Sequence, residues 1–458
     1  ASWSARDGKV LRHQWGTAPS CIGGEGAAGN PSPFPRKASS TRNAGPLARQ
    51  MREGRNSLAD AHDDERGIPK FTIAERERRW GLVRQRMAME RIDAIFVPPH
   101  TGLFDTQQAN TRYLTGLGGN HWTLASVFPL EGDVTVFTSA DVHPEICRLR
   151  QDWVTDIRAM TGAWGFTGSV IERLKQIPNL RRLGVSGLSG NTRFPEGTTA
   201  HGTVRMLREQ LPEVELVNAT PLMAEVRFVK SDEEIAFLRM GTELVERAID
   251  VIADTAREGV PENRIYAQMV ASLIEGGSEL PVFALWSAGM PQPPSNSYLP
   301  TRRPLRTGDA LLTELQARYG GCDAAGAQSL FLGPAPDEYH EMFRYQQAAV
   351  NICHEMLRPG QTVGAIASAI NAMTDDRYDM RVLMHSRGMG DDSPMAVFGV
   401  RDAAMANWTI EENSAFVVKP IVSTKDRARW IYWGDTVVCT AHGAQRLGKR
   451  VPSIIEIR

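Results

Sequence analysis

The sequence predicts an α/β amino-terminal domain followed by an α+β carboxy-terminal domain, both behind a disordered basic extension. Three observations lead there. The chain has 458 residues, more than one ordinary domain of about 100–200 residues holds. Helix and strand patterns alternate from near residue 71 to about 222, as in an α/β layer. A long amphipathic helix then opens at Ser231, and antiparallel strand runs with helices between them follow it. With 42% hydrophobic and 23% charged residues and a net charge of −1, the chain is no disordered polymer, collagen-like fibre or disulfide-knotted miniprotein. Near-neutrality argues against bulk attraction to nucleic acid or to an anionic membrane. No window reaches the roughly 18–20 unbroken apolar residues of a membrane span.

Residues 1–68 are expected to be disordered. The first fifty hold seven Lys/Arg against only Asp7 and Glu25, with many Gly, Pro and Ser, and bury too little apolar surface to offset ordering entropy. The segment fits either an organelle address or sequence upstream of the protein proper. Its Gly24–Gly29 run, GEGAAG, has dinucleotide-loop spacing but follows no strand, so it is set aside. Cys21, Cys147, Cys322, Cys353 and Cys439 form no CxxC pair and are odd in number. They read as free thiols in a reducing compartment, hence a cytoplasmic location, or an organelle if the extension is an address.

The first domain is expected over 69–222. Thr72-Ile73-Ala74-Glu75 reads as a capping box, with a helix through Glu90. Ile92–Val97 is a strand stopped by Pro98-Pro99, and Ala125–Phe128 with Val134–Phe137 form a hairpin about Glu131-Gly132-Asp133. A helix over 168–177 precedes a strand at Arg182–Val185. The second domain, 223–458, opens with the Ser231–Glu234 capping box, after which Ile235, Leu238, Val245, Ile249 and Ile252 recur at helical spacing. Further helices are expected at 262–275, 337–357 and 363–374, with strands at Ala310–Leu315, Ser414–Val418, Trp430–Tyr432 and Thr436–Val438. There is no GxSxG elbow and no phosphate-binding loop. His354-Glu355 begins an HExxH pattern that Arg358 breaks.

Arg112-Tyr113-Leu114-Thr115-Gly116, Val229-Lys230-Ser231-Asp232-Glu233-Glu234-Ile235, Tyr298-Leu299-Pro300-Thr301, Leu305-Arg306-Thr307-Gly308-Asp309 and Arg358-Pro359-Gly360 occur in this order. Together they resemble the creatinase / aminopeptidase P / prolidase (M24) family over about 71–450. The resemblance implies a creatinase-type amino-terminal domain, a pita-bread catalytic domain and a homodimer in which one subunit's amino-terminal domain often closes its neighbour's site. The family's metallopeptidases hold two divalent ions with Asp, Asp, His, Glu and Glu, which keep two cations together and activate a water. Carried over, these positions fall on Glu314, Ala325, His385, Lys419 and Gly434. Asp323 could replace the missing Asp by a two-residue slip, but nothing restores the two lost glutamates. The resemblance therefore implies no metal and no other cofactor, because an ammonium at Lys419 would repel a cation. The metal-free creatinases are nearer, with Glu-Leu at the first position and Ala at the second. Their second glutamate is Lys419 here, and their histidine aligns near Asn296-Ser297. A lysine there suits a carboxylate or developing oxyanion rather than a guanidinium.

The candidate catalytic residues are therefore His385, Glu314 and Lys419. His385 is an acid/base group or a histidine kept for packing. Glu314 is an amine clamp or base, Lys419 a base, nucleophile or anion holder, or the two are a structural ion pair. Candidate substrate-binding residues are Ser297 and Tyr298 before Pro300, Asp323, Arg387, Asp392 (where the family often has a second histidine) and Asp435. Each has a bland alternative as a solvated, turn-forming or packing residue. Trp286, Trp430 and Trp433 are pocket walls or core. The expected function is a metal-independent creatinase-like hydrolase or lyase acting on a C–N or similar bond of a small polar, carboxylate-bearing molecule. An inactive pita-bread scaffold used for binding, and a residual metal-dependent Xaa-Pro-type peptidase, stay open.

Overall fold

The computed structural model describes residues 67–458 apart from 100–107, 120–122, 140–142, 161–164, 191–194, 281–283, 294–299 and 400–402. The basic extension, its GEGAAG run, Cys21, Ser297 and Tyr298 lie outside the described residues.

The first domain is α/β. Helix α1 (Ile73–Glu90) leads into β1 (Ala94–Val97), α2 (Ala109–Thr115), β2 (Leu124–Pro129), β3 (Thr135–Thr138), α3 (His143–Arg150) and β4 (Asp156–Ala159). Then come α4 (Gly165–Leu174), β5 (Arg182–Val185), α5 (His201–Gln210), β6 (Glu215–Asn218) and α6 (Thr220–Val226), the last running across the expected boundary at 222/223. The six strands form one sheet in the order β4-β3-β2-β1-β5-β6. The expected hairpin is its antiparallel centre, with Ala125 opposite Phe137.

Only half of the first capping box forms. The Thr72 hydroxyl accepts the Glu75 N–H at 3.2 Å, but the Glu75 carboxylate turns to Arg79 Nε at 2.6 Å and Arg78 Nε at 2.7 Å. Arg79 is fully buried, 4.1 Å above the Phe71 ring and 4.7 Å above the Tyr113 ring, and a buried guanidinium requires a carboxylate. The Thr72 N–H left over is taken by Glu233 at 3.0 Å. Glu233 lies in the first turn of α7 (Asp232–Thr255), whose own box at Ser231 is complete. The two helix starts are thereby tied together.

The second domain is α+β in the pita-bread arrangement. After α7 come α8 (Glu262–Glu275), β7 (Ala284–Gly289), β8 (Ala310–Tyr319), β9 (Cys322–Leu332), α9 (Asp337–Met356) and α10 (Val363–Asn371). They continue into β10 (Tyr378–Arg381), β11 (Leu383–Arg387), β12 (Asp391–Val397), α11 (Ala403–Ala406), β13 (Ala415–Val418), β14 (Ile421–Thr424), β15 (Trp430–Tyr432), β16 (Asp435–Thr440), β17 (Gly443–Arg446) and β18 (Ile455–Ile457). Three sheets result, ordered β18-β9-β8-β7, β12-β11-β13-β16-β17 and β10-β14-β15. Within them all pairings are antiparallel except β18 with β9. The β8–β9 hairpin turns on Gly320 and Gly321, at φ +57° and +85°, the left-handed pair that a two-residue hairpin loop requires.

Period-two alternation sorts the strand residues between two faces. Leu311, Leu315 and Leu330 pack outward under Leu238, Val245 and Ile249 of α7 and Ile265 and Met269 of α8. Met384, Phe416, Val418 and Val437 pack outward with Tyr339 and Met342 of α9 and Ile366 of α10. The alternate residues face inward between the helix layers, and the candidate site lies on that inner surface.

Candidate functional site

Glu314 stands on β8 opposite Ala327 of β9. Ala327 is bridged to Gly434, each N–H donating to the other's carbonyl at 2.9 and 3.2 Å. Val418 of β13 is opposite Asp435 of β16, so the next step of that ladder sets Lys419 beside Gly434. The Lys419 N–H in turn donates to the Leu383 carbonyl at 2.9 Å. One row of residues thus crosses from the first sheet to the second, and along it the Lys419 ammonium donates to the Glu314 carboxylate. Both are buried, at 1% and 5% exposure, where neither charge could persist without its partner.

His385 lies on β11 opposite Val417 of β13, two residues from Lys419, so both side chains share the inner face. Its Nδ1 is 3.4 Å from the Ser386 carbonyl. A carbonyl only accepts, so in this contact Nδ1 is the donor, as in the neutral Nδ1–H tautomer or the imidazolium. A bulge between His385 and Ser386 follows. Ala325 carries no functional side chain; its backbone is fixed by the Thr436 hydroxyl, which accepts from its N–H and donates to its carbonyl, both at 2.9 Å.

The residues present do not fit the two-ion centre of the family's metallopeptidases. The aligned positions supply one carboxylate, one imidazole and an ammonium that already engages that carboxylate. A cation at contact range from the ammonium would be repelled by several kcal/mol even at an effective dielectric of about 20. Gly434 has no room for a ligand either, since a Cβ there would lie 2.2 Å from the Val418 carbonyl oxygen and 2.4 Å from the Lys419 Cβ. Asp323 is held by Arg318 at 3.3 Å and by Arg387 at 3.2 Å. Among the described residues no three His, Cys, Asp or Glu side chains converge as a metal cage.

The other singled-out residues occupy separate surroundings. Arg387 is fully buried against Asp323, and Asp392 accepts from Arg227 at 2.7 Å. Asp435 pairs with Val418 in the ladder and so faces outward, away from His385, where Arg446 binds it. Burial pushes the Asp435 carboxyl up, and the Arg446 charge opposes that. Trp286 donates to Glu262 at 2.8 Å in the core. The guanidinium groups of Arg446 and Arg450 stack on Trp433, 5.0 and 4.9 Å from its ring. Trp430 does reach the inner face, clustered with Leu312, Ala327, Leu383, Ile421 and Tyr432.

Sequence reasoning did not find Arg450. Its guanidinium donates to the Gly434 and Ala327 carbonyls at 2.9 and 3.2 Å and so clamps the bridge that spaces Glu314 from Lys419. Burial lowers its pKa to about 10, against the pull of Asp435 and Glu246. No spacing signal marks a lone arginine sixteen residues beyond its contact.

Comparison with known proteins agrees with this architecture. Residues 79–229 match the Creatinase/Prolidase N-terminal domain and residues 236–441 match Metallopeptidase family M24. An Xaa-Pro dipeptidase of Pyrococcus furiosus is 20% identical over 254 residues, 56% of this chain and 72% of the dipeptidase. A creatinase of a Bacillus species is 23% identical over 223 residues, 47% of this chain and 53% of the creatinase. The crystal structure of an X-Pro aminopeptidase from Thermotoga maritima superposes with a TM-score of 0.67 at 16% identity, covering 82% of this chain and 99% of that one. With both domain models matched in order on a creatinase-type domain and a pita-bread domain, the chain belongs to the M24 creatinase/prolidase family.

Proposed function

We propose that this chain is a metal-independent hydrolase that cleaves a C–N or similar bond in a small carboxylate-bearing substrate. The observation that supports the reading is the buried Lys419–Glu314 pair, with Lys419 at the position that the family resemblance aligns with a metallopeptidase ligand. Such an ammonium supplies the positive potential that a developing oxyanion requires, with no ion to bind. His385 Nε2 takes a proton from water as the water oxygen adds to the substrate carbon. Lys419 stabilises the negative oxygen formed there, while Glu314 holds the ammonium in place. As the C–N bond breaks, its electron pair goes to nitrogen, and His385 returns the proton to that nitrogen. The products are an acid and an amine, and the histidine ends neutral as it began.

The test is turnover of a panel of amide, amidine and ureido acids by purified protein of measured metal content. The expected result is well under one Mn, Zn or Fe per chain, activity that survives a chelator, and a loss of about 100-fold or more in His385→Gln and in Lys419→Met. Near-stoichiometric metal that disappears in Glu314→Ala would overturn it. Ala325 and Gly434, small residues at two ligand positions, favour a second reading as a binding scaffold. That reading holds if folded protein binds members of the panel without turning any over.

A further inference from the structure

Lys419 is committed to Glu314 and to the oxygen of the reacting group, so the carboxylate of a substrate has to find its counter-charge elsewhere on the inner face. The face offers one. Arg381 ends β10, opposite Ile421 of β14. Its neighbours Tyr378 and Met380 belong to the outer core under α9 and α10, so by alternation Arg381 points inward with Ile421. Ile421 is two residues beyond Lys419, which places Arg381 about 7 Å along the strands from the row of the ion pair.

Arg381 is prepared for an anion. It is half-buried, and its guanidinium stacks on Phe398 at 5.0 Å. Among the described residues no carboxylate forms an ion pair with it, and its buried Nε has no hydrogen-bond acceptor. The nearby Asp379 carboxylate is engaged by Lys425 at 2.8 Å. Burial, and then the neighbouring Arg427 charge, push its pKa down, the mark of a cation short of counter-charge. Between Arg381 and Lys419 the surface is apolar, formed by Leu383, Ile421 and Trp430. They keep 8%, 6% and 6% exposure, whereas the core residues around them are sealed.

We infer that Arg381 is the carboxylate-binding residue of the site, and that the substrate carries an apolar body between that carboxylate and the bond that is cleaved. The inference rests on the inner-face cluster being the active site, and it narrows the substrate from small and polar to amphipathic. The order along the strands sets the order along the ligand: anion at Arg381, apolar body over Ile421 and Trp430, reacting group at Lys419 and His385.

Binding of phenylacetate and hexanoate, measured by calorimetry and by ligand-observed NMR, tests this without any turnover. Both are expected to bind at least tenfold more tightly than acetate, and at least tenfold more tightly than hexanol and hexylamine. Arg381→Gln is expected to lose tenfold or more in affinity for the two acids, and Arg381→Lys to recover part of it. Arg205→Gln, at an exposed arginine of α5 paired with Glu209, should bind them within threefold of the parent. Equal binding of hexanoate and hexanol by the parent protein would overturn the inference, as would undiminished binding in a folded Arg381→Gln. Loss of binding in Lys419→Met but not in Arg381→Gln would assign the carboxylate to Lys419 and overturn it too. Failure of the metal-free chemistry leaves these binding results unaffected, so the two readings fail separately.

Discussion

At the level of single residues, the centre of the site is an ion pair that is costly to halve. Removing either member strands the other charge in the interior, a loss of about 3–5 kcal/mol, whereas removing both is far milder. Glu314→Gln and Lys419→Met are therefore each expected to lower denaturation stability by about 3–5 kcal/mol. The double variant should recover most of that, so the pair shows a strong coupling in a double-mutant cycle. Strictly additive losses would show that the two charges do not depend on each other. The carboxylate, the lysine and the histidine were legible in the sequence because family motifs flank each of them. What the sequence did not show is their common placement, which comes from the bridge of Ala327 to Gly434 and the pairing of β11 with β13. The partners of Asp323, Asp392 and Asp435 were not legible either: Arg227 and Arg387 are distant in sequence, and Arg318 and Arg446 face their carboxylates only once the β8–β9 and β16–β17 hairpins form. Arg381 was hidden for another reason: its inward direction follows only from the pairing of β10 with β14, which no local pattern shows.

Secondary-structure elements show where local signals suffice. The starts of α1 and α7 were legible from their capping boxes, and the helices expected at 262–275 and 337–357 meet α8 and α9 to within a residue. Strand β9 was not, because Cys322-Asp323-Ala324-Ala325-Gly326-Ala327 is built of residues with weak strand preference. It is a strand because β8 and β18 flank it and α7 packs on it, with Gly241 letting that helix approach Ala317 and Ala324 closely. At the start of α7, Ser231→Ala removes the side-chain cap and is expected to cost about 1 kcal/mol in chemical denaturation. In α9, burial lowers the His354 pKa to about 4 from the ordinary 6.5, and Arg446 adds to the shift. The unfolded chain thus takes up a proton between pH 6.5 and 4 that the folded chain refuses, so acidification through this window destabilises the fold, by up to about 3 kcal/mol. His354→Gln should flatten that part of the stability–pH curve, and an unchanged slope would assign the acid sensitivity to other groups.

Across the whole molecule, charged residues couple the two domains. Arg79 binds Glu75 of its own helix and reaches Glu234 of α7 at 3.4 Å. Arg112 of α2 grips Glu279 with two bonds of 2.5 and 2.6 Å, and Glu279 also accepts the Gly321 N–H of the β8–β9 turn at 3.0 Å. Burial pushes the Glu279 carboxyl upward, but the Arg112 charge and hydrogen bonds outweigh it and hold the pKa below the usual carboxylate range. The described chain is therefore expected to melt in one calorimetric transition. Glu234→Gln with Glu279→Gln should split it into two, and a single transition in that variant would mean that apolar packing alone couples the domains. The two-domain plan was visible from the alternation and from the second capping box. The buried arginines that join the halves were not, since nothing local separates them from the many exposed ones.

The strand end that carries Lys419 also decides what can stand beside it. The Val418 carbonyl and the backbone and Cβ of Lys419 occupy the space that any side chain at 434 would need. A glutamate at 434 would collide with that backbone, and a glutamate at 419 would face Glu314, anion against anion. Neither acid can be installed singly without cost, so the positive character of this corner is built into the backbone as well as into the lysine.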